Sequence, residues 1–174
     1  MPIESELPKK TEGTRNEFYC FGYGVESALA GVPFVEEGAA GGHPGGIIQI
    51  GAVRLSPAGA DMEEFQIMIT PKVYRHLNRR VSKLTGIKEN RLRAEGIPFV
   101  RAMEQFRTWC GEEPVFLTWG FDDIGILREN LQLYGQDTAW VERWYNAQMI
   151  FNAQTDGSNS QKALKTALET FQIE

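Results

Sequence analysis

The chain has 174 residues, 42% of them hydrophobic and including ten Phe, five Tyr and four Trp, which is enough for one sizeable core and therefore one domain. A net charge of −5 and a pI near 5.2 argue against general affinity for polyanions, and two cysteines exclude a disulfide framework. No charged-then-apolar leader is visible and no apolar run approaches the roughly 20 residues of a spanning helix, so a cytoplasmic protein without a membrane segment is expected.

Residues 1–16 are polar and carry no periodic apolar face, which predicts a loose leader ahead of a domain over 17–174. Phe18 to Val25 reads as a strand buried on both faces, weakened at its end by Gly22 and Gly24. Cys20 within it packs as a small hydrophobe. The glycine-rich stretch from Gly31 to Gly46 reads as a flexible connection or a lid. It is no phosphate loop, because it lacks a Lys-Ser/Thr ending and leads into a strand. Ile47 to Leu55 is a second strand, and Glu64 to Thr70 a third, with Phe65, Ile67 and Ile69 on one face. The short segment Ser56 to Asp61 makes these two antiparallel neighbours.

Beyond residue 97 the period lengthens. Phe99, Met103, Phe106 and Cys110 predict a helix, Val115 to Trp119 a strand, and Ile124, Leu127, Leu131 and Tyr134 one face of a further helix. Tyr145 to Phe151 reads as a final strand. Ser158 with Gln161 reads as a capping box before Ala163, Leu164, Ala167, Leu168 and Phe171. The predicted class is α/β: three early antiparallel strands, then alternating helix and strand, giving a mixed sheet flanked by helices.

Lys72 to Arg93 holds eight Lys or Arg residues against one acid, Glu89. Arg75, Arg79, Arg80 and Lys83 within it are candidates for tracking the phosphates of a nucleic acid, and a solvated face balancing acidic neighbours explains the same run equally well. Trp119 stands at a strand end where it could line a cleft. Trp109 lies on the core side of its helix, and Trp140 and Trp144, four apart, read as one helical packing face.

Three segments carry a family resemblance: I-I-Q-I-G-A-V at 47–53, Leu84-Thr85-Gly86-Ile87, and T-W-G-F-D-D at 118–123, the last two separated by the helix at Phe99 to Cys110. In this order the chain resembles the DEDD 3′-to-5′ exonucleases of the ribonuclease H-like superfamily, and the T-W-G variant resembles a subgroup of exonuclease-like proteins. The resemblance implies a ribonuclease H-like sheet and a site in which four carboxylates hold two divalent cations about 4 Å apart.

Carried over residue by residue, that site is incomplete. The first motif, Asp-x-Glu-Thr, falls on Gly24, Val25, Glu26 and Ser27, so glycine replaces an aspartate. The second aspartate matches Asp123, with Asp122 as a neighbouring contender. The third motif, H-x-A-L-x-D-A, is expected after a helix read here at Gln161 to Ile173, where the chain stops. Q-K-A-L-K-T-A at 161–167 offers only Gln161 and Thr166 in place of the base and the acid. Asn146 stands where relatives often have aspartate. The implied catalytic and metal-binding residues are thus vestigial, Glu26 and Asp123, holding at most one weak Mg²⁺ or Mn²⁺. Loss of a general base alone costs about 10²- to 10⁴-fold in rate. The expectation is an inactive exonuclease-like domain that binds single-stranded nucleic acid or a protein partner. The alternatives are an active exonuclease completed by a partner chain or by residues outside this chain, and a purely structural partner domain.

Overall fold

The computed structural model describes residues 18–21, 46–55, 62–70, 76–77 and 79–172. The expected leader and glycine-rich connection, and the strand residues beyond Phe21, lie outside the described residues. Strands β1 (Phe18–Phe21), β2 (Gln49–Leu55) and β3 (Met62–Thr70) are followed by helices α1 (Arg79–Thr85) and α2 (Glu89–Glu95). Next come a two-residue strand β4 (Ile97–Pro98), helix α3 (Phe99–Cys110), strand β5 (Val115–Thr118) and helix α4 (Asp122–Leu133). A 3-10 turn over Ala139–Val141 leads to β6 (Trp144–Asn146), α5 (Ala147–Thr155) and α6 (Leu164–Thr170).

The strands form one six-stranded sheet in the order β4-β3-β2-β1-β5-β6. β2 runs antiparallel to β1 and, as the short Ser56 to Asp61 segment predicts, to β3, and the pairs β1–β5, β5–β6 and β3–β4 are parallel. Five strands therefore end at one edge of the sheet, which is where an open α/β sheet places its ligand crevice. This is the mixed α/β architecture that the sequence predicts.

Helix α3 forms on the predicted face: Phe99, Ala102, Met103, Phe106 and Cys110 are its buried residues. It stops at Gly111, whose φ of 84° only glycine adopts without strain and whose N–H bonds back to Arg107 O at 3.1 Å. Phe106 is fully buried and has ring contacts with Phe65, Trp109, Phe116 and Trp140. Ile124, Leu127 and Leu131 of α4 join it in the main core, and Tyr134 stacks on Phe99 with ring centroids 4.5 Å apart. Trp109 is held as expected for a structural residue, with the Arg54 guanidinium 4.9 Å from its ring centroid.

The strict alternation in β3 has one exception. Phe65, Ile67 and Ile69 pack on the main core, and Glu64, Gln66 and Thr70 are exposed, yet Met68 is buried. On the opposite sheet face it meets Ile48, Ile87 and Leu92 in a second, smaller cluster. The Leu84-Thr85-Gly86-Ile87 segment delivers Ile87 there. Thr85 Oγ1 donates to Val81 O and accepts from Ile87 N, while Gly86 turns the chain with φ 70°.

Three local expectations fail. Tyr145 to Phe151 is not a strand: β6 stops at Asn146, whose Oδ1 accepts from Gln148 N and Met149 N and so starts a helix. The apolar run was ambiguous between periods, and the cap decided it. Trp140 and Trp144 do not share a helical face, since one lies in the 3-10 turn and the other in β6. Both nevertheless pack against the core. Ser158 and Gln161 form no capping box, because α6 begins only at Leu164 and has no side-chain cap.

Residues 156–163 are instead pinned as a strap across α5. Lys162 Nζ meets Asp156 Oδ2 at 2.7 Å, Asn152 Nδ2 donates to Ser160 O at 2.8 Å, and Trp119 Nε1 donates to Lys162 O at 2.9 Å. Gln148 Nε2 donates to the same Lys162 carbonyl. The hydrogen bond from Lys162, helped by the Ser158 backbone N–H, holds the Asp156 carboxyl down at about 2, below its ordinary 3.8.

Replacing Phe106 by Ala is expected to destabilise the protein by about 3–5 kcal/mol, read from the midpoint of urea unfolding at constant slope. Asp156 contributes stability that is complete above its ordinary pKa and is lost as pH falls through about 2. The stability of Asp156→Asn should accordingly fall less steeply than wild type between pH 4 and that point, and the difference should shrink in high salt. Parallel unfolding curves at each pH check this.

Candidate functional site

The turn after β5 positions the acidic pair. Thr118 is fully buried and its Oγ1 donates to Gly120 O at 2.9 Å. Gly120 adopts φ 111°, a conformation that L side chains rarely take, and reverses the chain into α4. Asp122 and Asp123 then occupy the first turn of α4, where the helix dipole favours carboxylates. Asp122 is exposed, whereas Asp123 is 8% exposed.

Asn146 fixes this turn against the next one. Its Oδ1 accepts from Gly120 N at 3.3 Å, from Gln148 N at 2.9 Å and from Met149 N at 3.3 Å. One buried amide oxygen thus holds the chain reversals after β5 and after β6 together. Its Nδ2 is buried with no hydrogen-bond partner among the described residues.

Between these turns and the strap lies a cleft of about 480 Å³, walled by Trp119, Asp122, Asp123, Gln148, Gln161 and Lys162 among others. Trp119 lines it, as its place at a strand end suggested. Gln161, which the Q-K-A-L-K-T-A segment offers only in place of the base, lines the same cleft as Asp123 because the strap ends there and α6 starts later than expected. Thr166 lies exposed on α6 and is not among the cleft walls. Gln148 and Lys162 carried no motif signal; only the pinning of the strap reveals them. Lys162 is engaged by Asp156.

Gly24, Glu26 and Arg75 lie outside the described residues. The register Phe21↔Thr118 brings the end of β1 beside the end of β5. β3 ends at that edge too, ahead of α1. Arg79 and Lys83 are exposed on α1 and make no ion pair among the described residues, and Arg80 belongs to the same helix. Further along the basic run, Arg91 pairs with Glu95 and Arg93 with Glu89, which also contacts His76 at 3.2 Å. The basic concentration is thereby neutralised locally in α2.

Among the described residues no three His, Cys, Asp or Glu side chains converge as a metal cage. The cleft offers carboxylates from Asp122 and Asp123 together with the neutral amides of Gln148 and Gln161. Among the described residues no helix is long and apolar enough to cross a membrane.

No protein-family model matches the chain, and no curated protein matches it. Solved structures do. The nuclease domain of 3′hExo, a DEDDh family member bound to rAMP, superposes with a TM-score of 0.73 at 18% identity, over 94% of this chain and 82% of that one. Cell-death related nuclease 4 (CRN-4) is similar at 0.67 and 16%, over 92% and 56% of the two chains. Exonuclease I of E. coli, in complex with a dA16 oligonucleotide, reaches 0.66 at 13%, and this chain spans 37% of its length. With the strand order and the strand-end cleft above, these likenesses give the protein the ribonuclease H-like fold of the DEDD 3′-to-5′ exonucleases.

Proposed function

We propose that this exonuclease-like domain binds the 3′ end of a single-stranded nucleic acid and does not hydrolyse it. The observation that carries this reading is Gln161 in the cleft of Asp122 and Asp123. An amide donates and accepts hydrogen bonds without taking up a proton at ordinary pH, so it can hold a sugar hydroxyl and cannot serve as a general base. Gly24, in place of the first motif's aspartate, adds no ligand oxygen. The remaining acids of the resemblance, Glu26 and Asp123, suit at most one weakly held Mg²⁺ or Mn²⁺, which would supply charge neutralisation at a phosphate.

Nucleic acid is favoured over a protein partner by two supports. Arg79 and Lys83 are exposed on α1 without acidic partners among the described residues, and α1 follows a strand that ends at the site's edge of the sheet. The similar structures include one of a 3′-exonuclease recognising the 3′ end of a histone mRNA stem-loop. A sequence-tolerant grip on a single strand combines such cations with stacking side chains.

Incubated with 3′-terminal single-stranded RNA and DNA in Mg²⁺ and in Mn²⁺, the protein is expected to bind without shortening them, as gel shift and denaturing gels would read. Stepwise loss from the 3′ end that disappears in Asp123→Ala would overturn the proposal. Gly24→Asp alone should remain inactive, because Gln161 still offers no base. Arg79→Glu should weaken binding several-fold across sequences and lower the slope of log affinity against log salt. An unchanged slope would remove α1 from the interface.

A further inference from the structure

The strap walls the cleft that Asp123 lines and also an adjoining cleft of about 850 Å³, which it borders from Gly157 to Gln161. It begins with Asp156 followed by Gly157. A backbone nitrogen attacks the preceding carboxyl most readily when it belongs to glycine, which puts no Cβ in the way. The surroundings leave room as well, since a Cβ at Gly157 would meet no atom within 4 Å and the Asp156 side chain is 52% exposed.

Contacts on both reacting groups oppose that attack. Lys162 Nζ and the Ser158 N–H hold the carboxylate at 2.7 and 3.0 Å, and they keep it ionised down to about 2. The electrophile an amide attacks is the neutral acid, which is therefore scarce. The nucleophile is engaged too, because the Gly157 N–H donates to Asn152 O at 2.7 Å. With Asp156 ψ at −1°, that nitrogen is turned about 120° away from Cβ, so ring closure requires the first residue of the strap to rotate. Lys162 is the one member of this set that is distant in the chain. Its Nζ lies 5.3 Å from the Phe151 ring centroid, and its carbonyl accepts from Trp119 and Gln148.

We propose that Asp156 and Gly157 form a site of spontaneous succinimide formation and isoaspartate conversion, that Lys162 holds this off, and that conversion releases the strap. In the first step Gly157 N bonds to Asp156 Cγ. The carboxyl C–OH bond breaks, and the hydroxyl leaves as water with the amide proton. Water then reopens the ring at either carbonyl. Opening at the main-chain carbonyl routes the backbone through the Asp156 side chain, which adds one methylene to the strap and moves the carboxylate away from Lys162. Bonds from Trp119, Gln148 and Asn152 to strap carbonyls are set for the shorter path, so both clefts lose a wall. The reaction consumes and returns only water, and it goes beyond the nucleic-acid reading without depending on it.

The test ages the full chain at neutral pH and maps isoaspartate by chromatography and mass spectrometry of its peptides. Folded wild type should convert more slowly than the same chain unfolded in urea. Lys162→Met, which keeps the aliphatic stem over Phe151, should convert about tenfold faster than folded wild type, within the gain in neutral acid that a return from about 2 to 3.8 allows. Lys162→Arg keeps the cation and should stay slow. High salt screens the pair and should speed wild type without any substitution. Equal rates in folded and unfolded wild type, or no acceleration in either Lys162→Met or high salt, would overturn the proposal, as would Lys162→Arg converting as fast as Lys162→Met. In converted chains the Trp119 indole N–H should lose its protection from hydrogen exchange, and retained protection would overturn the release of the strap.

Discussion

A single buried oxygen, Asn146 Oδ1, holds the working edge of this molecule in shape. Because it accepts from Gly120 N as well as from the first turn of α5, the reversal that presents Asp122 and Asp123 and the helix that carries Gln148 and Asn152 are positioned by the same atom. Both clefts lie between those two elements and the strap. Removing the acceptor would leave three backbone donors to find other partners, and unsatisfied buried donors are costly. An aspartate at this position would accept equally well, and it would bring no buried donor like Nδ2 in search of a partner. The asparagine therefore preserves the geometry of the edge while leaving one fewer negative charge near the acidic pair.

The described part of that edge sets two carboxylates, Asp122 and Asp123, beside two neutral amides, Gln148 and Gln161. Hydrolysis of a phosphodiester by paired cations depends on a dense cage of carboxylates and on a group that moves a proton. The cleft that Asp123 lines also presents the amides of Gln148 and Gln161, and the strap that carries Gln161 is held by four side-chain contacts, from Lys162, Trp119, Gln148 and Asn152. Neutral amides tolerate burial when they are bonded, and they form directional contacts with hydroxyls and bases. The fold supplies an edge at which strands converge; the residues placed on it decide what that edge does.

Several elements were legible because their signal is local. The spacing of Phe99, Met103, Phe106 and Cys110 predicts an amphipathic helix, and the β2–β3 pairing follows from an apolar run, an alternating run and the short link between them. Trp119 at a strand end and the acidic pair after Gly120 were equally readable, since a strand, a glycine and a helical first turn follow one another without interruption. Other features depended on atoms distant in sequence. Tyr145 to Phe151 has strand-like composition, and a cap by Asn146 converts most of it to helix. Met68 breaks the alternation of β3 because a second cluster covers the opposite sheet face. Gln161 stood in the sequence only as a poor substitute for a base, since its place depends on a strap tied to Trp119, 42 positions earlier in the sequence.

The sequence by itself determined the α/β class, the pairing of the early strands, the core face of α3 and the place of the acidic pair, because each follows from periodicity, turn chemistry or adjacency along the chain. Only the tertiary structure decided that Gln161 and Asp123 line one cleft and that Asn146 joins two turns. Those facts arise where separate segments meet, and hydrogen bonds across such junctions are selected by the packing of the whole sheet edge, about which local residue patterns carry no information.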